Sequence, residues 1–387
     1  MDFDIQMLPL ALVGLMAAFA FGWVLSRFDM RQWKREQQDS PRAYYQGLNL
    51  LLNEQQDKAI DVFIAAAQQD AGSSDLHFAL GNLFRRRGEY ERAVRVHQHL
   101  LGRGDLSATE RERAQHALAQ DFLKAGLFDR AEEAFRTLEG TSFATDARLE
   151  LLTLYERSRD WRKADETARK LEGSGAGSFA NRISHYWCEL ALEADARRQP
   201  AEAQSALERA REAAPQAARP LILMGERHAQ AGRHLEALAA WDELLTVRPA
   251  SFALVAGQYA ASALACGEGS RARTRLQALH DKAPTSEVLS ALLKLAPDAA
   301  SRESLLMAHL QHQPSLSAAA SLLKEHNGDD ALPSSALARV QQVVTLAARP
   351  LQRYRCAACG FEAQHYFWQC PGCQSWDSYP PQRLEDL

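Results

Sequence analysis

Small residues recur along this chain with a period near 34, at Ala59, Ala93, Ala131, Ala164, Ala203, Ala237 and Ala272, with spacings of 34, 38, 33, 39, 34 and 35. Twelve residues before several of them stands a second small residue, Gly47, Gly81, Ala119 or Gly225. Side chains this small let two antiparallel helices approach closely, so each pair marks one helix-turn-helix unit. Pro215, Pro249 and Pro284 come twelve residues after the second small position. There they end the second helix, because proline donates no backbone hydrogen bond and disfavours a helical residue before it. Gly88, Gly126, Gly232 and Gly267 fall between the paired helices, where a positive φ is expected. The period is that of tetratricopeptide repeats. It predicts an all-α helical solenoid over residues 43–348, of about seven units and up to nine.

The units are unequal. Leu80-Gly81-Asn82-Leu83-Phe84 through Gly88 to Ala93, and Met224-Gly225 through Gly232 to Trp241 and Pro249, follow the pattern closely. Gly173 to Ser178 reads as a lengthened connection, and beyond Pro284 the match fades, although Leu289–Leu310 and Leu316–Ala347 keep a helical pattern.

Stacked units offer a long binding face and no catalytic constellation. Neither a nucleophile elbow, a P-loop, an H-E-x-x-H helix nor a dinucleotide fingerprint occurs, so the chain is read as a non-enzyme. His97, His99 and His116 cluster, but no carboxylate or cysteine partner recurs at ligand spacing, so they are expected to be solvated or to line a helix face. Cys188 and Cys266 sit among apolar neighbours and are expected to be buried and inert, and Tyr155, Trp161, Trp187 and Trp241 to pack between helices.

The remaining four of the six cysteines form two C-x2-C hooks, Cys356 with Cys359 and Cys370 with Cys373. Such turns converge two thiolates on one ion, and two turns complete a tetrahedral S4 site with no position left for water or substrate. The four cysteines are the candidate metal ligands, and zinc and iron remain equally open as the ion. Residues 349–387 are too few for a sufficient apolar core, so metal binding is expected to supply most of the folding energy there, on the order of 10 kcal/mol. Phe361, Tyr366, Phe367, Trp368 and Trp376 either fill this module or contact the solenoid.

At the other end, Met7–Leu25 carries no charge over nineteen residues and, as a helix, would reach roughly 28 Å. It reads as a transmembrane anchor over 1–26 followed by a juxtamembrane linker over 27–42. Ala18-Phe19-Ala20 resembles a signal-peptide cleavage site, but Asp2 and Asp4 stand where such leaders carry basic residues. Arg27, Arg31, Lys34 and Arg35 follow, which predicts a single-pass inner-membrane protein with its N-terminus periplasmic and its bulk cytoplasmic. The net charge of -4 gives no footprint for nucleic acid, and residues 349–387 hold four arginines against four carboxylates. A reducing compartment suits the four poised thiols.

Apolar leader, repeat array and C-terminal S4 hooks, in that order, resemble the lipopolysaccharide assembly protein B family (LapB, also called YciM). The residues that carry the resemblance are Gly81-Asn82-Leu83-Phe84-Arg85 with Arg87-Gly88, and Tyr354-Arg355-Cys356, Cys359-Gly360-Phe361 and Cys370-Pro371-Gly372-Cys373. It implies a rubredoxin-like or zinc-ribbon C-terminal domain over 349–387. It further implies an inner-membrane adaptor that lowers lipopolysaccharide synthesis by promoting FtsH-dependent proteolysis of the deacetylase LpxC. Implied partners are FtsH, LpxC, other lipopolysaccharide biosynthesis or transport proteins, membrane lipid through the anchor, and a second copy of the chain, with no nucleic acid. A second class of function, electron transfer through an iron-loaded rubredoxin-like site, stays open at this point.

Overall fold

The computed structural model describes residues 45–50, 52–53, 55–69, 73–325 and 334–387, together with Phe19. Helices follow one another as α1 (45–50), α2 (Gln56–Gln69), α3 (Ser74–Arg86), α4 (Tyr90–Leu101), α5 (Ala108–Lys124), α6 (Phe128–Arg136), α7 (Ala144–Ser158), α8 (Trp161–Gly173) and α9 (Ala180–Ala196). They continue as α10 (Pro200–Ala213), α11 (Ala218–Gln230), α12 (His234–Val247), α13 (Ala256–Ala265), α14 (Gly269–Lys282), α15 (Ser286–Leu295), α16 (Ala299–His312), α17 (Leu316–Glu325) and α18 (Ser334–Ala348). A two-stranded hairpin, β1 (Tyr354–Arg355) and β2 (Glu362–Ala363), follows. The chain is thus an all-α tetratricopeptide array closed by a small metal-binding type of module. Two compact units are distinguished, one running to Asp160 with Gly173–Ala176, the other comprising Trp161–Glu172 and Gly177–Leu387.

Sterics explain the pattern of small residues. A Cβ built on Gly47 or on Gly81 would stand 2.5 Å from the ring of Phe63 or of His97, and one on Gly225 would clash with the indole of Trp241. In each case the ring belongs to the residue sixteen positions later, on the second helix of the unit. Ala119 and Phe135 hold the same two places in the α5–α6 unit, and both are fully buried. The second small positions, from Ala59 to Ala237, are all 0% exposed. Each unit is therefore a notch on one helix filled by a large side chain from its partner, a volume match that close packing demands.

Turn chemistry is equally regular. Gly88, Gly126, Gly232 and Gly267 have φ of 80°, 77°, 74° and 80°, each five residues before the second small position of its unit. Arg159 and Arg198 occupy the corresponding turns before Ala164 and Ala203 at φ 58° and 60°, a left-handed conformation that crowds a Cβ. In the first unit, Ser107 and Glu110 form a capping box at the start of α5. Ser74 at the start of α3 donates to the same Glu110 carboxylate at 2.5 Å. The hydroxyls of Ser74 and then Ser107 hold Glu110 down to about 2.

One buried polar cluster in this unit links two repeats. Asp121 on α5 is fully buried, accepts from Arg85 Nη1 at 2.8 Å, and lies 2.5 Å from Nδ1 of the equally buried His97. His97 is therefore neither solvated nor lining an open face, and its carboxylate partner lies 24 residues away, on a helix of the next repeat. His99 is exposed and stacks on His77, while His116 is half-buried between Phe135 and Phe143. Cys188 is buried, and burial pushes its thiol up to about 12; Cys266 is only partly covered, contrary to the expectation of full burial. Tyr155, Trp161, Trp187 and Trp241 are all buried.

The localisation expected from the sequence is corrected here. No helix among the described residues is long and apolar enough to cross a membrane. The longest, α5 and α9, have 17 residues, or roughly 26 Å of rise against a hydrocarbon core of about 30 Å, and both carry charges. The stretch Met7–Leu25, on which the inner-membrane placement and the lipid contact rested, lies outside the described residues apart from Phe19.

Candidate metal centre

Each cysteine hook is built the same way. Cys356 N–H donates to Phe361 O at 2.9 Å and Gly360 N–H to Cys356 O at 2.9 Å; in the second hook Cys370 N–H donates to Ser375 O at 2.9 Å and Gln374 N–H to Cys370 O at 2.8 Å. Gly360 and Gln374, each directly after the second cysteine of its hook, turn the chain with φ of 77° and 60°. Strands β1 and β2 pair in register, Tyr354 with Ala363 and Arg355 with Glu362, and flank the first hook; a bridge between Gln369 and Trp376 flanks the second.

The hooks bring all four sulfurs within 4.8 Å of one another. Cys356 and Cys373 Sγ are 3.8 Å apart and Cys359 and Cys370 Sγ 3.7 Å apart. A tetrahedral ion with metal–sulfur bonds of about 2.3 Å requires sulfurs about 3.8 Å from one another, the spacing of these two pairs, so the donor set suits a single tetrathiolate ion. The ring of donors is two-sided: Cys356 and Cys370 are buried, Cys359 and Cys373 exposed. Ser378 Oγ lies 3.3 Å from Cys356 Sγ and holds that thiol down to about 6, and Ser375 likewise lowers Cys373. Hydroxyls facing sulfur favour the thiolate, the form a metal needs.

Tyr354, Cys356, Cys370 and Tyr379 form the core of the module, with Tyr366 packed against them. The module aromatics divide. Phe361 and Phe367 are exposed, Tyr366 is internal, and the two tryptophans reach the array. Trp376 stacks on His185 of α9 with centroids 4.7 Å apart and meets Trp161 and Tyr186 edge-on. Asp377 Oδ1 lies 2.8 Å from His185 Nε2, and Arg219 stands over Trp368 while donating to Glu189 at 2.6 Å. Arg383 pairs with Glu287 on α15. Sequence reasoning singled out the four cysteines that the structure brings together; it did not find His185, Asp377, Arg219 or Glu287, which lie tens of residues or more from their partners and belong to no local motif.

Residues 354–380 match a family model described as a rubredoxin metal binding domain. Along the whole chain, lipopolysaccharide assembly protein B of Escherichia coli strain K12 is 30% identical over 387 residues, covering 97% of this chain and 99% of that protein. This chain belongs to the lipopolysaccharide assembly protein B family. The Haemophilus influenzae member is 27% identical over 399 residues, covering 97% of this chain and 98% of its own. Among solved structures, a tetratricopeptide repeat protein from Parabacteroides merdae is similar over 67% of this chain and 99% of its own at 15% identity, with a TM-score of 0.35. The family assignment gives the hooks their context: the rubredoxin-type match begins and ends within the segment whose two tryptophans interlock with the array.

Proposed function

We propose that the protein is an adaptor in lipopolysaccharide assembly. In this reading the array over residues 43–348 holds client proteins, and the module over 349–387 carries one zinc or iron ion on Cys356, Cys359, Cys370 and Cys373. The observation that carries the proposal is the similarity to lipopolysaccharide assembly protein B along the full length of both chains. The specific activity proposed is promotion of FtsH-dependent proteolysis of LpxC, which lowers lipid A synthesis. The chain itself catalyses nothing; its part is to hold a substrate beside the protease, where weak contacts suffice because confinement raises effective concentration. The interlock through Trp368 and Trp376 supports a holding role for the metal module over electron transfer, since both side chains are committed to packing.

The test is LpxC turnover in cells whose only copy carries Cys356→Ser. Slower turnover with the helical signal nearly intact is the expected outcome. Unchanged turnover would remove the metal module from the mechanism, and a colourless, zinc-loaded protein would remove electron transfer altogether.

A further inference from the structure

A cavity of about 680 Å³ opens in the second unit, walled by α13, α15, α17 and α18 and bounded at one edge by the metal module through Tyr354 and Arg383. Two of its walls repeat one pattern. On α15, Ser286, Ser290 and Lys294 lie at i, i+4 and i+8; on α17, Ser317, Ser321 and Lys324 lie at i, i+4 and i+7. These spacings place each set along a single helix face, with the lysines roughly 11 Å beyond the first serines.

The serine ends already bind carboxylates. Asp386 accepts from Ser286 N–H at 3.1 Å and from Ser286 Oγ at 2.8 Å, while Glu385 accepts from Ser317 N–H at 2.8 Å and from Ser315 Oγ at 3.0 Å. The turn Leu384–Asp386 thus lays one acidic side chain on the start of each helix, where backbone donors are unpaired. The lysine ends bear no such partner. Neither Lys294 nor Lys324 forms an ion pair among the described residues, and the one carboxylate in the lining, Glu287, is engaged by Arg383. Lys294 Nζ lies over α13, 3.7 Å from where a Cβ on Gly257 would stand, so its charge faces across the groove.

We propose that this groove binds an extended acidic segment of a partner protein, its carboxylates meeting Lys294 and Lys324. The length from the capped ends to the lysines suits three or four extended residues at about 3.3 Å each. The proposal rests on the adaptor reading and deepens it by naming the chemistry of one client. Its test uses only the purified full chain and needs neither protease nor deacetylase, so each can fail alone.

A fluorescein-labelled peptide of alternating Glu and Ala is titrated with the protein and followed by anisotropy, beside its Gln/Ala counterpart. The expected result is saturable binding of the acidic peptide that weakens with salt, and about threefold weaker binding for each of Lys294→Gln and Lys324→Gln. Lys58→Gln, in the other unit, leaves it unchanged. No binding, equal binding of the Gln/Ala peptide, insensitivity to both lysine substitutions, or equally strong displacement by an oligonucleotide would each overturn the proposal.

Discussion

The imidazole of His97 rests on Gly81: a Cβ added to that glycine would come 2.5 Å from Cε1 and Nε2. The same ring holds, at 2.5 Å through Nδ1, the buried carboxylate of Asp121 in the next repeat. A steric requirement within one unit and a polar link between units thus meet in one side chain.

Gly225 is the strictest case, because the Trp241 indole fills the space of its missing side chain. Gly225→Ala should destabilise the chain by about 1–3 kcal/mol through overpacking. Gly257→Ala, also helical but meeting nothing nearer than Lys294 Nζ at 3.7 Å, should stabilise it by about 0.5–1 kcal/mol. Denaturant unfolding of the two variants gives the comparison, and equal signs would refute the notch.

Asp121 neutralises Arg85 and fixes His97 where no solvent reaches. Asp121→Ala should cost about 3–5 kcal/mol, since an uncompensated charge is left next to a buried ring. The loss is read from the unfolding midpoint, and a cost under about 1 kcal/mol would show that the triad relaxes to water.

Arg198 holds a left-handed turn that four other units assign to glycine, and its side chain is exposed. Arg198→Gly should therefore raise stability by about 0.5–1 kcal/mol, the strain relieved less the extra freedom of the unfolded chain. A lowered melting temperature would mean that the arginine makes a contact worth more than the strain.

Stripping the metal with a strong chelator should unfold residues 354–380 and leave the helices standing. Circular dichroism near 222 nm would then change little, whereas the fluorescence of Trp368 and Trp376 should shift as both leave the array. An unshifted spectrum after complete metal loss would show that the interlock alone folds the module.

What could be read from the sequence is what local geometry dictates. The hooks were legible because two sulfurs on a C-x2-C turn have few other uses, and the repeat because small residues at fixed spacing mark close helix approach. The filler of each notch was not, since Phe63, His97 and Trp241 share a position but no residue type. Nor was Asp121 as the partner of His97, or Asp377 as that of His185 across 192 residues, because pairing through the tertiary fold leaves no periodic trace. Arg159 and Arg198 hid two turns by replacing the residue that normally announces them.

The two-sided ring of sulfurs sets an order of solvent access. An oxidant or alkylating agent arriving from solvent meets Cys359 and Cys373, one from each hook, while Cys356 and Cys370 lie shielded behind them. Each hook thus offers solvent one sulfur and keeps one back, so loss of either outer sulfur would take one donor from a different hook.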